Sequence, residues 1–230
     1  MDSRVRPVSL GIAIRRAWAG FKDNLWFYLL SIFTYSVIHF LVAQYLGDWF
    51  LKHLPQQPAS PYRENIAGFS PFVSEILPHL VGIGYILFGV WFLLGLIKAS
   101  IEVMRGGKAS FAHFLQSPTN IFRALGGYLL YFLLLLAGII LLVFPAIIWG
   151  VQYSLFAYFI ADKSLSPVQS LFYSSETTKG AKWDLLGSYL VIELLWVAAV
   201  LTLGLGFFIV APLWALIKAY FYVDLTKDHA

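Results

Sequence analysis

Four stretches of this sequence are almost free of charged residues, and their lengths limit the chain to one class of fold. Residues 24–47, 76–97 and 124–161 contain no Asp, Glu, Lys or Arg, and residues 185–217 contain only Glu193. A soluble domain cannot cover apolar runs of this length, whereas the core of a bilayer accepts about 20 apolar residues per helix. Only 12% of the residues are charged, and soluble domains usually contain about twice that share. The pattern predicts a helical protein embedded in a membrane.

The two longest stretches each exceed one membrane crossing. At about 1.5 Å per residue, a single helix over 124–161 would be about 57 Å long, nearly twice the thickness of the hydrocarbon core. This stretch is expected to fold back near Pro145, and the last stretch near Gly204. The predicted fold class is all-α, a polytopic membrane bundle of six transmembrane helices. The predicted spans are residues 24–46, 76–98, 123–143, 145–161, 185–203 and 206–224.

The lysine and arginine residues are distributed unevenly between the predicted loops. Fourteen of the sixteen lie in the N-terminal segment, the 98–123 and 162–184 connections and the C-terminal part, whereas two lie in 47–75. Because cytoplasmic loops carry such an excess, both termini are predicted to lie in the cytoplasm. Residues 47–75 then form an external loop, near whose end Ser70-Pro71 indicates a helix start.

A repeated unit is predicted within a single integral membrane domain over residues 1–230. Each unit consists of an amphipathic helix at the membrane interface followed by a helical hairpin. The prediction depends on short matches, such as Ala-Tyr-Phe at 157–159 and 219–221, each followed three residues later by aspartate. Chance similarity between apolar segments is the alternative. The copies would cover residues 8–105, 108–163 and 166–225.

The first interfacial helix has an apolar and a basic face. Its apolar face consists of Leu10, Ile14, Ala17, Trp18 and Phe21. Arg15, Arg16 and Lys22 lie opposite and are the predicted contacts to lipid headgroups. The alternative is that the interfacial helices pack against one another as a cytoplasmic cap.

Two further interfacial helices are predicted from the sequence. Ser166 and Gln169, with Pro167 between them, predict a capping box that starts a helix. An apolar stripe of Val168, Leu171 and Phe172 follows. Phe111, Phe114 and Leu115 form a weaker third example.

Small and aromatic residues recur at defined positions of the predicted spans. Ridges of small residues predict close helix contacts within the bundle, with contacts between protomers as the alternative. The ridges are Ala211, Ala215 and Ala219 in the sixth span and Ala146, Gly150 and Ser154 in the fourth. Aromatic residues near the helix ends predict an interface belt. The belt residues are Trp26, Tyr158, Phe159, Trp183, Tyr220 and Tyr222.

Glu193 lies near the middle of the fifth span. A carboxyl group at this depth opposes insertion by about 3 kcal/mol, so it needs a partner or stays protonated. It is either a proton or cation site, or a structural hydrogen-bonding group whose partner is Gln152 at similar depth in the fourth span. Lys218 completes the candidate intramembrane polar site, although snorkelling of its ammonium group to the interface is expected.

The sequence contains no signature of a catalytic, metal-binding or cofactor-binding site. It has no cysteine, its histidines lack metal-ligand spacing, and it has neither a phosphate-binding glycine loop nor a nucleophile elbow. His39, in the first span, is interpreted as hydrogen-bonded packing. The basic segments are short and adjoin the spans, so no nucleic-acid binding is expected. No enzyme activity and no cofactor are predicted, and membrane lipids are the expected partners, with a protein partner or a homo-oligomer left open.

Several segments resemble those of a known group of proteins. They are LVFPAII at 142–148, YFIAD at 158–162, SPVQSL at 166–171 and SETTKGAKW at 175–183. The chain resembles poorly characterised bacterial six-pass membrane proteins related to the membrane domain of some glycerophosphodiester phosphodiesterases. Ala146 stands where that family commonly has glycine, which bears on turn geometry. The resemblance implies a membrane module, expected in the bacterial inner membrane, without the soluble domain's phosphodiesterase activity.

Two functions are compatible with these patterns. The first is a non-enzymatic membrane protein that engages lipid or a protein partner through its amphipathic helices on the cytoplasmic side. The alternative is a small transporter or channel that uses Glu193. The two differ in whether Glu193 or the basic residues of the first helix are essential.

Overall fold

A computed structural model describes residues 10–53, 71–115, 117–141, 143–202 and 205–227, which form helices and no β-strand. Six of the helical segments are long and apolar enough to cross a membrane. The predicted all-α polytopic bundle is therefore confirmed. The candidate spans are Leu25–Trp49, Ile76–Met104, Pro118–Leu141, Val143–Lys163, Lys182–Leu201 and Phe207–Thr226.

The described residues contain nine α-helices and a 3-10 helix at Phe111–Phe114. The helices are α1 (Leu10–Asp23), α2 (Leu25–His53), α3 (Pro71–Met104), α4 (Pro118–Leu141), α5 (Val143–Gln152), α6 (Phe156–Lys163), α7 (Pro167–Thr177), α8 (Lys182–Leu201) and α9 (Phe207–Thr226). α2 and α3 both extend into the predicted external loop, and α3 begins at the predicted Ser70-Pro71 start. The centre of that loop, 54–70, lies outside the described residues.

The chain divides into two compact units. The smaller unit, Ile32–Gly89, contains most of α2 and the first half of α3. Within it, the hydroxyl groups of Tyr35 and Tyr85 are hydrogen-bonded at 3.3 Å. His39 pairs through Nδ1 with the Tyr85 hydroxyl, in agreement with its interpretation as hydrogen-bonded packing.

The larger unit comprises Met1–Ser31 and Val90–Ala230. Its core contains α6 and the second half of α9, where residues 156–161 and 219–222 are all buried. α4, α5 and α8 instead leave many large apolar side chains exposed, among them Leu129, Phe144 and Leu194. Exposed apolar surface of this extent suits a helix whose surroundings are hydrocarbon.

The fourth span is broken, although the sequence predicts one continuous helix over 145–161. α5 ends at Gln152, α6 begins at Phe156, and α7 satisfies the backbone groups freed between them. The Ser174 hydroxyl accepts from the Leu155 N–H at 3.1 Å and donates to the Gln152 carbonyl at 3.0 Å. Thr178 Oγ1 donates to the same carbonyl at 3.0 Å. Such partners are needed where a helix breaks without access to water.

α7 begins as predicted and then packs along α4 and α6. Its capping box is confirmed, because Ser166 and Gln169 exchange side-chain to backbone hydrogen bonds and Pro167 occupies the first turn. The packed face is largely made of small polar residues such as Ser170 and Ser174. Of the predicted apolar stripe, Leu171 is buried, whereas Val168 and Phe172 are 68% and 58% exposed.

The predicted aromatic belt is wrong for four of its six residues. Tyr158, Phe159, Tyr220 and Tyr222 are buried in the core, and only Trp26 and Trp183 are exposed, at 82% and 83%. The physical reason is that α6 and α9 pack against other helices at these positions. The Tyr158 hydroxyl donates to the Ala215 carbonyl at 3.0 Å, and the ring of Phe159 packs edge-on to that of Tyr222.

Small residues make close helix contacts within the chain, as predicted. Ala215 and Ala219 of α9 are fully buried. Where α4 meets α5, a Cβ atom on Gly138 would lie 2.8 Å from the Cα atom of Ala146. The two backbones can approach this closely only because Gly138 has no side chain.

Candidate functional site

α1 lies against α9 and α8 through a narrow face of mostly small residues. The buried residues are Ala13, Ala17, Gly20 and Phe21. The predicted apolar face is therefore divided, because Ala17 and Phe21 are buried while Ile14 and Trp18 remain exposed. α1 therefore packs on the bundle while part of its apolar surface stays exposed.

The exposed part of α1 combines apolar and basic side chains. At about 100° per residue, Ile14, Trp18, Lys22 and Arg15 follow one another over about 100° of the helix circumference. All four are exposed. We call these four residues the headgroup surface, because a tryptophan and an aliphatic residue beside two cations are typical of helices at a membrane interface.

Arg16 is separate from the headgroup surface. Its guanidinium group lies 5.6 Å from the centre of the Tyr220 ring on α9, within the range of a cation–π interaction. Arg16 also lines a groove of about 590 Å³ together with Asp23, Asn24 and Lys108. The three predicted headgroup contacts therefore divide into Arg15 and Lys22 on one surface and Arg16 on another.

Asn24 fixes one wall of this groove, where α1 meets α2. Its side-chain amide donates to the Gly20 carbonyl at 3.0 Å, and its oxygen accepts from the Ala109 N–H at 2.9 Å. The loop after α3 is thereby held against the end of α1. The groove contains two cations and Asp23 as an acid, so its charge favours anions only weakly.

The residues of the candidate intramembrane site are not joined into one hydrogen-bonded cluster. Gln152 Oε1 accepts from Lys182 Nζ at 2.8 Å, so Gln152 is not the partner of Glu193. The reason is that α5 ends beside the start of α8. Glu193 lies eleven residues further along α8, or about 16 Å. The Glu193 side chain is exposed on that helix.

Lys218 occupies an aromatic environment. Its ammonium nitrogen lies 4.3 Å from the ring centre of Trp214 and 4.6 Å from that of Tyr189. These cation–π contacts stabilise the ammonium group in a half-buried position, whereas the sequence suggests that it reaches out to the interface. Within the described residues, Lys218 and Glu193 form no ion pair.

Sequence reasoning missed a polar cluster that joins three helices of the larger unit. Arg105, directly after α3, makes two hydrogen bonds of 2.7 Å to the carboxylate of Asp162 on α6. Asp162 also accepts from the Tyr222 hydroxyl of α9 at 2.7 Å. The bonds to Asp162 raise the pKa of Arg105 above its ordinary value, so this group stays charged. The recurrence of aspartate at 162 and 224 was the available signal, but it does not identify the partners.

Comparison with known proteins adds no assignment to this geometry. No protein family model matches the chain, and neither the curated proteins nor the solved structures that were compared give a significant match. Among the described residues, no group of three or more His, Asp or Glu side chains is placed to hold a metal ion.

Proposed function

We propose that this chain is a non-enzymatic integral membrane protein that binds anionic lipid headgroups through the headgroup surface of α1. One observation carries the proposal. α1 is attached to the bundle by Ala13, Ala17 and Gly20, which leaves Trp18 exposed beside Arg15 and Lys22. A helix held in this way can keep its apolar side chains among lipid tails and its cations among phosphates.

The charge distribution of the sequence supports a location for this surface. Fourteen of the sixteen Lys and Arg residues fall on the side of the predicted spans that contains α1. We place both termini in the cytoplasm and the protein in a bacterial inner membrane, whose inner leaflet presents anionic headgroups. The resemblance to the membrane modules of some glycerophosphodiester phosphodiesterases supports a module of this kind.

The alternative function, a transporter or channel that uses Glu193, has less support. The Glu193 side chain is exposed on α8, and the carboxamide of Gln152 is engaged by Lys182. A transport site would need these polar groups to face one hydrated cavity.

A lipid-selectivity measurement tests the proposal. The purified full chain is titrated with phosphatidylglycerol and phosphatidylcholine in micelles, and bound lipids are counted by native mass spectrometry. Each cation near the surface contributes about 1 kcal/mol to anionic-lipid binding. Replacing both, as Arg15→Gln with Lys22→Gln, should therefore lower the preference for phosphatidylglycerol about 30-fold.

Two control variants separate charge from other effects. Arg15→Lys with Lys22→Arg keeps both charges and should retain the preference for phosphatidylglycerol. Glu193→Gln should also retain it, because Glu193 is not one of the four residues of the headgroup surface. An unchanged preference after loss of both cations of the headgroup surface would refute the proposed function.

A further inference from the structure

A second surface with a defined shape lies between α4 and α7. Residues of both helices, together with Tyr153, line an open groove of about 480 Å³, a volume within the range of small-molecule sites. We call it the α4–α7 groove. Its walls are largely apolar and include Leu130, Leu133 and Leu134 from α4 and Val168, Leu171 and Phe172 from α7.

The surroundings of the groove determine what can fill it. α4 is a candidate membrane span, and its exposed side chains beside the groove include Leu129 and Phe132. The groove walls contributed by Val168 and Phe172 are exposed to the same exterior. Because the medium around a membrane span is hydrocarbon, the chemistry of the groove favours an alkyl chain.

The position of α7 beside the groove is fixed by its hydrogen bonds to the break between α5 and α6. The helix is fixed to the break in the fourth span through Ser174, which bonds to both Gln152 and Leu155. This contact turns the small polar face of α7 inward and leaves Val168 and Phe172 outside.

The connection between α6 and α7, which leads into the groove at Val168, has basic residues beside it. α7 begins at Pro167, which lies against α4, since a Cβ atom on Gly126 would be 3.1 Å from the Pro167 ring. Arg123, one turn earlier on α4, donates to the Ser164 carbonyl at 2.7 Å. Lys163, the last residue of α6, is exposed beside the same connection. Two cations thus flank the 164–167 connection, from which Val168 continues into the groove.

We propose that the α4–α7 groove binds one acyl chain of an anionic diacyl phospholipid, whose phosphate lies at Arg123 and Lys163. This inference rests on the proposed lipid-binding function but concerns a different surface from α1. Apolar walls accept the chain, and the two cations select the headgroup.

Photo-crosslinking tests this site. The full chain is reconstituted in vesicles that contain phosphatidylglycerol with a diazirine on its acyl chain, irradiated, and mapped by mass spectrometry. Crosslinks should concentrate on α7 over 168–175 and on the facing residues of α4. Leu133→Trp fills the groove and should remove these crosslinks. Ile139→Trp is the matched control, because Ile139 lies on the same helix outside the groove lining, and it should leave the crosslinks unchanged. The two wild-type side chains are similarly exposed, Leu133 at 49% and Ile139 at 58%.

Additional variants and lipid probes test which headgroup is bound and provide an alternative if Leu133→Trp does not fold. Arg123→Gln should weaken labelling about fivefold, since one cation contributes about 1 kcal/mol. If Leu133→Trp does not fold, Val168→Trp fills the groove from the α7 side. Labelling that is evenly spread over the exposed helices, equal with a phosphatidylcholine analogue, or seen only with a free fatty acid would overturn the proposal.

The two lipid proposals can fail separately. The variant that combines Arg15→Gln with Lys22→Gln should retain crosslinking in the α4–α7 groove. If this variant keeps both the groove crosslinks and the preference for phosphatidylglycerol, only the α1 proposal is refuted. If the wild-type protein gives no crosslinks in the α4–α7 groove, only the groove proposal is refuted.

Discussion

The hydroxyl group of Ser174 should be the most important polar group of α7 for stability. It is fully buried and joins α7 to both sides of the break between α5 and α6. In Ser174→Ala the Gln152 carbonyl keeps Thr178 as a donor, but the Leu155 N–H loses the acceptor that the structure provides. An unsatisfied buried N–H costs about 1–3 kcal/mol.

The membrane environment reduces this figure only in part. Interhelical hydrogen bonds in membranes contribute about 0.6 kcal/mol on average, because the unfolded state also finds partners. Ser174 makes two of them, and one lost bond leaves a backbone donor unsatisfied. We therefore expect Ser174→Ala to lower the free energy of unfolding by about 2 kcal/mol.

A denaturant titration in mixed micelles measures this change, and Ser170→Ala provides the control. Ser170 is equally buried on α7, but its hydroxyl donates only within its own helix, to Pro167. Its replacement should change stability by less than about 0.5 kcal/mol, since alanine has the higher helix propensity. Equal stability of the Ser170→Ala and Ser174→Ala variants would refute the role assigned to the Ser174 hydroxyl at the break between α5 and α6.

Three other substitutions have defined outcomes in thermal denaturation of the purified protein. Gly138→Ala should destabilise it by about 1–3 kcal/mol, because the new Cβ atom meets the Ala146 backbone. Gly82→Ala should stabilise it by about 0.5–1 kcal/mol, because a Cβ atom at this position has no neighbour within 4 Å. Equal effects of the two substitutions would contradict the close contact between Gly138 and Ala146. Asp162→Asn should cost about 1 kcal/mol, a modest figure because the Arg105 side chain is 44% exposed. No loss of stability would show that this ion pair is dispensable.

The spans and the start of α7 could be predicted because their signals are local. Charge-free stretches report burial in lipid wherever the helices pack, and Ser166-Pro167 with Gln169 describes a capping box within four residues. The small-residue contact at Ala215 was also accessible, because alanine spacing is visible on one helix.

The break in the fourth span could not be predicted, because its cause is distant in sequence. Residues 152–155 contain neither proline nor glycine, and the groups that satisfy the break, Ser174 and Thr178, come from another helix. No charged residue interrupts the stretch from 145 to 161, so its length and hydropathy indicate one helix.

The residues through which α1 packs on the bundle could not be predicted from its composition. Ile14 and Trp18 are more apolar than Ala13 and Gly20, so the sequence pattern places the first pair on the apolar face and leaves the second pair off it. The structure buries the second pair instead, because small residues allow helix axes to approach closely. The aromatic residues at 158, 159, 220 and 222 were misassigned for a related reason, since a position near a helix end does not distinguish an interface belt from a core.

We infer that the two long apolar stretches, 124–161 and 185–217, each cross the membrane and return, with their turns on the side opposite to the termini. The chain has no cysteine, so single cysteines report their own positions without background. Cysteines at Phe144, Leu205, Lys179 and Lys227 are labelled in intact cells with a membrane-impermeant maleimide. We expect labelling at 144 and 205 in intact cells, and at 179 and 227 only after permeabilisation. Labelling of all four positions from the same side would contradict it.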